Sequence, residues 1–266
     1  MGANSSNDIT SHNNTEQYTR ERLERGASFG SQAAAYARHR PDYPISAIDW
    51  ALAPVRARNG LRVLDLAAGT GKLTGVLAAA GVDVVAVEPD AAMLAELTAR
   101  HPRVEAHLGT AEQIPLPAGA VDAVLVGQAL HWFDLDLAYP EIARVLRPGG
   151  VLAPLWNTLD DTEQQWVTGY GKLASSPLQS ESRTPSSPKH PLFHDFETAR
   201  FSHSHRRTAE ELVSTVATYS HTLVLPPAEQ EAKLTEILAY LRAHPETAHG
   251  EFDLPLRVLV LRGALR

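Results

Sequence analysis

The chain reads as an α/β protein built on a doubly wound, mostly parallel sheet. From Leu61 onward, short apolar runs alternate with helix-like segments, the pattern of a parallel sheet covered by helices on both faces. Those runs are nearly continuous in apolar residues, whereas strands with one wet face would alternate. The first run ends at a Gly-Thr-Gly turn that leads into a helix, whose unpaired N–H groups and dipole favour a carboxylate or phosphate.

Residues 1–28 read as a tail, disordered or loosely packed, because a segment of Asn, Ser and Thr buries too little apolar area to offset its ordering entropy. RVLDLAA (62–68) is the first strand, followed by the helix LTGVLAAAG (73–81). DVVAVEP (83–89) and VEAHLG (104–109) are the next strands, with the helix DAAMLAELTAR (90–100) between them. VDAVLVGQ (121–128) is a fourth strand, and DLAYPEIARVL (136–146) has helical spacing. An RPGG turn (147–150) launches VLAPLWN (151–157). Ser and Pro dominate 174–191, predicting a surface loop or lid. ETARFSHSHRRT (197–208) reads as a strand, and Thr208 with Glu211 forms a capping-box signal for a helix over 208–220. PAEQEAKLTEILAYLRAH (227–244) is a further helix, and LPLRVLVLRGAL (254–265) the last strand.

Composition narrows the function. The 266 residues carry 24 basic and 31 acidic side chains, a formal net charge of −7 that argues against nucleic-acid coating or a polybasic membrane surface. There is no cysteine, so disulfides, thiolate metal sites and cysteine nucleophiles are excluded. No run approaches a membrane span and no signal-peptide core is visible, which makes the cytoplasm the expected address.

The chemistry centres on Asp65-Leu66-Ala67-Ala68-Gly69-Thr70-Gly71. Small residues at a strand end let backbone approach a ligand closely. A Walker loop would need Ser or Thr after Gly-Lys, where Leu73 stands, and a dinucleotide fingerprint would need glycine at Thr74. Glu88 follows Asp65 by 23 residues and can accept hydrogen bonds from two ribose hydroxyls; the alternative is a carboxylate serving the helix after Pro89-Asp90.

With VLDLAAGTGKLT (63–74), VAVEPDAAML (85–94), GTAEQIPLP (109–117), VDAVLVGQALHWFD (121–134) and VLRPGG (145–150) in order, the chain resembles class I S-adenosylmethionine-dependent methyltransferases. The likeness is strong over 29–157, and its small-molecule branch, with trans-aconitate methyltransferases, is the most similar. Ala67 departs from the glycine that often opens this loop, but is small enough to preserve close approach. The resemblance implies a Rossmann-like, seven-stranded sheet, parallel except for an antiparallel last strand. It implies one methyltransferase domain over 29–266, with cap elements from 29–60 and 160–245.

It further implies S-adenosylmethionine as cofactor. Asp65, Ala67, Gly69 and Gly71 would shape the pocket for its methionine half, and Glu88 would hold the ribose. Pro89 and Met93 would line the adenine side, with Thr110, Ala111 and Glu112 at the adenine edge. Gln128 and Ala129 would offer backbone carbonyls, while Tyr36 and Arg40 would reach the cofactor carboxylate; helix packing is the other reading of Tyr36.

His131 is the candidate base or orienting group, with a structural histidine held by Trp132 and Phe133 as the alternative. Trp132, Trp156 and His39 are candidates for the acceptor pocket, Trp156 equally for core packing. A carboxylate acceptor would need no base and would give Arg38, His39 or Arg40 more weight. His203 and His205 share a strand face, and with His190 and His194 they lack a positioned carboxylate, so they read as solvated histidines and no metal is expected. Tyr219 ends a helix or faces the pocket.

The expected reaction is methyl transfer to an O, N or C centre of a small molecule by a monomer or homodimer, without nucleic-acid or membrane partners. A cofactor-binding protein repurposed for another reaction or partner is the alternative, and a nicotinamide dehydrogenase is disfavoured by Thr74.

Overall fold

The computed structural model describes residues 40–161, 164–175 and 189–266. The tail 1–28, Tyr36, His39 and most of the 174–191 segment lie outside the described residues. Elements run in the order α1 (Ile45–Leu52), β1 (Arg62–Leu66), α2 (Lys72–Ala79), β2 (Asp83–Glu88), α3 (Ala91–Arg100), β3 (Glu105–Leu108) and β4 (Val121–Gly127). There follow a 3-10 turn (Leu130–Trp132), α4 (Leu135–Val145), β5 (Leu146–Leu159), α5 (Gln165–Ala174), β6 (Glu197–Arg207), α6 (Ala209–Ala217), α7 (Ser220–Leu223), α8 (Pro227–Arg242) and β7 (Phe252–Ala264).

The seven strands form one sheet in the order β3-β2-β1-β4-β5-β7-β6. β1 pairs in parallel with β2 and β4, while β7 runs antiparallel to β5 and β6. The chain therefore leaves β1 toward one edge and returns to β4 on the other side. That reversal opens a crevice at the carboxyl ends of β1 and β4, because the connections after these strands diverge to opposite sides.

Strand alternation divides the core. Leu64, Leu66, Val124 and Val126 pack with Ile142 and Val145 of α4 on one face. Val63, Ala123, Leu125 and Val151 pack with Ile48, Leu52 and Leu77 from α1 and α2 on the other. α1 lies in the stretch expected to cap the site, yet it covers the sheet, since Ala47, Ile48, Ala51 and Leu52 present one fully buried stripe. A separate cluster joins Trp166 and Tyr170 of α5, Leu212 and Val216 of α6, and Ile237 and Leu241 of α8. It packs on Phe252, Leu254 and Leu256 at the start of β7, beyond the carboxyl end of β5.

Two boundaries differ from the sequence reading. RPGG is not a turn between helix and strand: β5 begins at Leu146, and the four residues form an irregularity where Val121 pairs with Leu146 and Ala123 with Val151. The predicted helix 208–220 ends at Ala217, and α7 starts separately at Ser220. Its start is as expected: Thr208 Oγ1 accepts from the Glu211 N–H at 3.2 Å, and Glu211 Oε2 accepts from the Thr208 N–H at 3.1 Å.

Candidate active site at the carboxyl ends of the first and fourth strands

Strand β1 places Leu64 and Leu66 on one face and Asp65 between them, 1% exposed. Asp65 Oδ2 accepts from Thr74 Oγ1 at 2.6 Å, whereas Oδ1 is buried with no hydrogen-bond partner among the described residues. Burial pushes the Asp65 carboxyl up to about 7; the Thr74 hydrogen bonds oppose the shift and the Glu88 charge adds to it. A buried acceptor left unsatisfied is costly, so this oxygen suits a ligand that brings an N–H donor, and a cationic one best. Thr70 Oγ1, also buried without a partner among the described residues, lines the same crevice.

The turn after β1 uses left-handed backbone three times, at Ala67 (φ 57°), Gly69 (φ 57°) and Gly71 (φ 85°). Ala67 pays for its Cβ there, on the order of 1–2 kcal/mol. It nevertheless adopts the conformation that glycine would. Gly71 is the N-cap of α2, so the N-terminus of that helix opens beside the crevice. At the end of β2, Glu88 is buried and accepts from the Gly69 N–H (Oε2, 2.8 Å) and the Asp90 N–H (Oε1, 2.9 Å). Burial raises its pKa, against the two backbone hydrogen bonds. Glu88 thus serves the backbone around Pro89-Asp90, and each oxygen retains a second lone pair for a hydroxyl.

After β4, Gln128 (φ 61°) is a second non-glycine residue in the left-handed region. Its N–H donates to Leu155 O at 2.8 Å and its Nε2 to Asn157 O at 3.0 Å, tying the ends of β4 and β5 together.

A cavity fills the crevice between these strand ends and the helical cluster. Of the expected residues, it brings together Arg40, Asp65, Ala67, Gly69 and Gln128. Gly71, Glu88 and Met93 stand behind this wall, Glu88 through its hydrogen bond to Gly69 and Met93 with its sulfur against the same glycine. Pro89 and Thr110 are exposed, and Thr110 forms a bridge with Gln113. Ala111 and Ala129 are buried in the core, and Glu112 Oε1 accepts from the Asp134 N–H at 2.9 Å.

His131, the candidate base, is not among the residues that line this cavity. The 3-10 turn buries Leu130 and turns the next side chain outward, leaving His131 exposed, its ring 4.9 Å from that of Trp132 and off the cavity wall. Trp132 and Trp156 likewise pack against the core rather than lining the cavity.

The opposite wall holds Arg207, which the sequence reading passed over, and histidines that it read as solvated. On β6, His203, His205 and Arg207 share a face turned inward. His203 Nε2 donates to Asn157 Oδ1 at 2.8 Å, and the Asn157 Nδ2 donates to Asp42 O at 3.2 Å. His205 Nδ1 accepts from Arg207 Nη2 at 3.3 Å. Burial, then the cations Arg207 and Lys72, push His205 down to about 4, with Asp42 opposing, so it is neutral at physiological pH. These are half-buried histidines, not solvated ones. Arg207 itself is buried, and burial lowers its pKa. The Arg40 guanidinium stacks 4.4 Å over the Tyr219 ring and donates to Thr218 O at 3.3 Å. Tyr219 therefore faces the cavity. The available signal was the period of two running from His203 to Arg207, which ends at a charge the strand buries.

Comparison with known proteins agrees with this geometry. Residues 64–153 match the family model described as a methyltransferase domain. A protein of Mycobacterium tuberculosis described as an uncharacterized methyltransferase is 41% identical over 251 residues, 93% of this chain and 99% of its own length. A methyltransferase-like protein of Schizosaccharomyces pombe is 35% identical over 219 residues, 79% of this chain and 85% of its own. A solved structure from Anaeromyxobacter dehalogenans, provisionally assigned as a type II methyltransferase, superposes with a TM-score of 0.65 at 29% identity, covering 85% of this chain and 97% of that one. With a near-complete relative on one side and a switch-point crevice on the other, the chain belongs to the class I S-adenosylmethionine-dependent methyltransferases.

Proposed function

We propose that the chain methylates a small anionic molecule, a carboxylate of the kind its trans-aconitate-like motifs suggest, within this cavity. The observation that carries the reading is a single cavity lined both by Asp65, whose buried Oδ1 has no hydrogen-bond partner among the described residues, and by the cations Arg40, Arg207 and Lys72, the last paired with Asp42 at 3.2 Å. S-adenosylmethionine supplies an already activated methyl group on a sulfonium, so the protein's work is binding, alignment and exclusion of water. Asp65 Oδ1 accepts from the ammonium of the cofactor's methionine half, and Ala67, Gly69 and Gln128 let the backbone approach it. Glu88, held by two backbone N–H groups, offers its remaining lone pairs to the ribose hydroxyls. Arg207 orients the acceptor's negative charge, and neutral His205, whose Nδ1 faces Arg207, turns its Nε2–H to an acceptor oxygen.

A carboxylate oxygen is nucleophilic without losing a proton, so this reading requires no base, in keeping with the position of His131 off the cavity wall. No described helix is long and apolar enough to cross a membrane. The net charge of −7 favours a small-molecule partner over nucleic acid or an anionic membrane surface.

The test is incubation with methyl-labelled S-adenosylmethionine and a metabolite extract. We expect S-adenosylhomocysteine to form and the label to enter an acidic small molecule, from which mild alkali releases it as methanol. An alkali-stable product, or no S-adenosylhomocysteine with any acceptor, overturns the proposal; the latter favours a cofactor-binding protein without methyl transfer.

A further inference from the structure

We propose that His101 is a positioning residue for the cofactor-binding turn, bracing the Gly71 carbonyl from a slot that two glycines keep open. The inference rests on the methyltransferase reading of the crevice. His101 closes α3: its N–H donates to Leu97 O at 2.8 Å, and its own carbonyl accepts from the Val104 N–H at 3.0 Å. Its backbone is thus fixed, and its ring reaches Gly71, with Nε2 3.1 Å from Gly71 O. A carbonyl only accepts, so Nε2 carries the hydrogen.

The ring fits because of what α2 lacks. A Cβ on Gly71 would fall 2.8 Å from His101 Cδ2, and one on Gly75 would fall 3.0 Å from Cε1. Glycine inside a helix costs roughly what alanine would save, so the bare position at Gly75 needs a reason, and the imidazole is one.

The other end of the turn is held by the same β2–α3 unit. Glu88 accepts from the N–H of Gly69 and from that of Asp90, whose side chain caps α3. One β–α unit therefore grips the turn at the Gly69 N–H and at the Gly71 C=O. Gly71 O is also the first acceptor of α2, taking the Gly75 N–H at 2.9 Å. Fixing that oxygen fixes the direction of the helix N-terminus and, with it, Gly69 and Thr70 on the cavity wall.

The test uses the full chain and S-adenosylhomocysteine as probe. His101→Phe keeps a ring in the slot and removes the donor, and His101→Gln returns an N–H at similar reach. For His101→Phe we expect S-adenosylhomocysteine to bind about fivefold more weakly, the loss of one net hydrogen bond. KM for S-adenosylmethionine should rise while kcat stays within about twofold, and His101→Gln should recover most of the affinity. In the ligand-free protein, the amides of Gly69–Gly71 should exchange faster in His101→Phe. Parental affinity in His101→Phe, or a His101→Gln no better than His101→Phe, overturns the proposal. Should His101→Phe not fold, Gly75→Ala displaces the ring by its Cβ; the same loss of affinity supports the proposal, and unchanged affinity overturns it. If the parent itself fails to bind S-adenosylhomocysteine, the functional reading falls, and the exchange rates of the ligand-free turn still decide the role of His101.

Discussion

Asp65 sets a stability cost against the binding role proposed for it. Its folded pKa of about 7 lies above the unfolded value, so between about pH 4 and pH 7 the folded chain holds a proton that the unfolded chain releases. The group's contribution to stability therefore falls as pH rises through this window, and the loss is complete above about pH 7. Asp65→Asn keeps an acceptor for Thr74 and cannot ionise. We expect it to melt above the parent at about pH 8, while its affinity for S-adenosylhomocysteine drops at least about tenfold. The parent's affinity should rise with pH through about 7, because only the carboxylate pairs with the ammonium, and the variant's should stay flat. Calorimetry at either end of that range measures both. At this scale the sequence was informative where chemistry is local: Asp65, Gly69 and Gln128 sit within or just after apolar strands, and the cavity contains all three. The inward placement of His205 and Arg207 was not legible, because it follows from burial of this face of β6 among residues distant in the chain, such as Lys72 and Asp42.

Helix α6 shows how a local signal serves the site. Its capping box holds the segment that carries Leu212 and Thr215 to the cavity wall. Thr208→Ala should cost about 1 kcal/mol of stability by denaturant titration and raise KM for the acceptor more than for the cofactor. Equal change in both constants would mean that the helix supports the whole crevice rather than its acceptor wall. This start was legible because capping depends on residues three apart. The RPGG segment was not, since the same residues make a turn when isolated and an irregularity once β4 lies alongside to pair with Leu146. The outward side chain of His131 had the same origin: a single 3-10 turn after β4, driven by burial of Leu130, decides which neighbour meets solvent.

In the whole molecule, two bodies of apolar packing meet at the cavity. The sheet and its flanking helices form one, and α5, α6 and α8 on the start of β7 form the other. Ile237→Ala, at a fully buried position of the second cluster, should cost roughly 2–5 kcal/mol. Amide exchange should accelerate in α5, α6 and α8 while β1 and β4 keep their protection; uniform acceleration would show that the two bodies open as one. The sequence by itself determined the strands and helices, the Gly-Thr-Gly turn and its acid, because periodicity, small residues and capping act over a few positions. Only the tertiary structure decided which polar groups face one another: β7 lies between β5 and β6, and that order carries β6 and the helical cluster to the far wall of the crevice. Burial and strand pairing, which depend on residues far apart in the chain, turned His205 and Arg207 inward and set His131 outside the cavity lining.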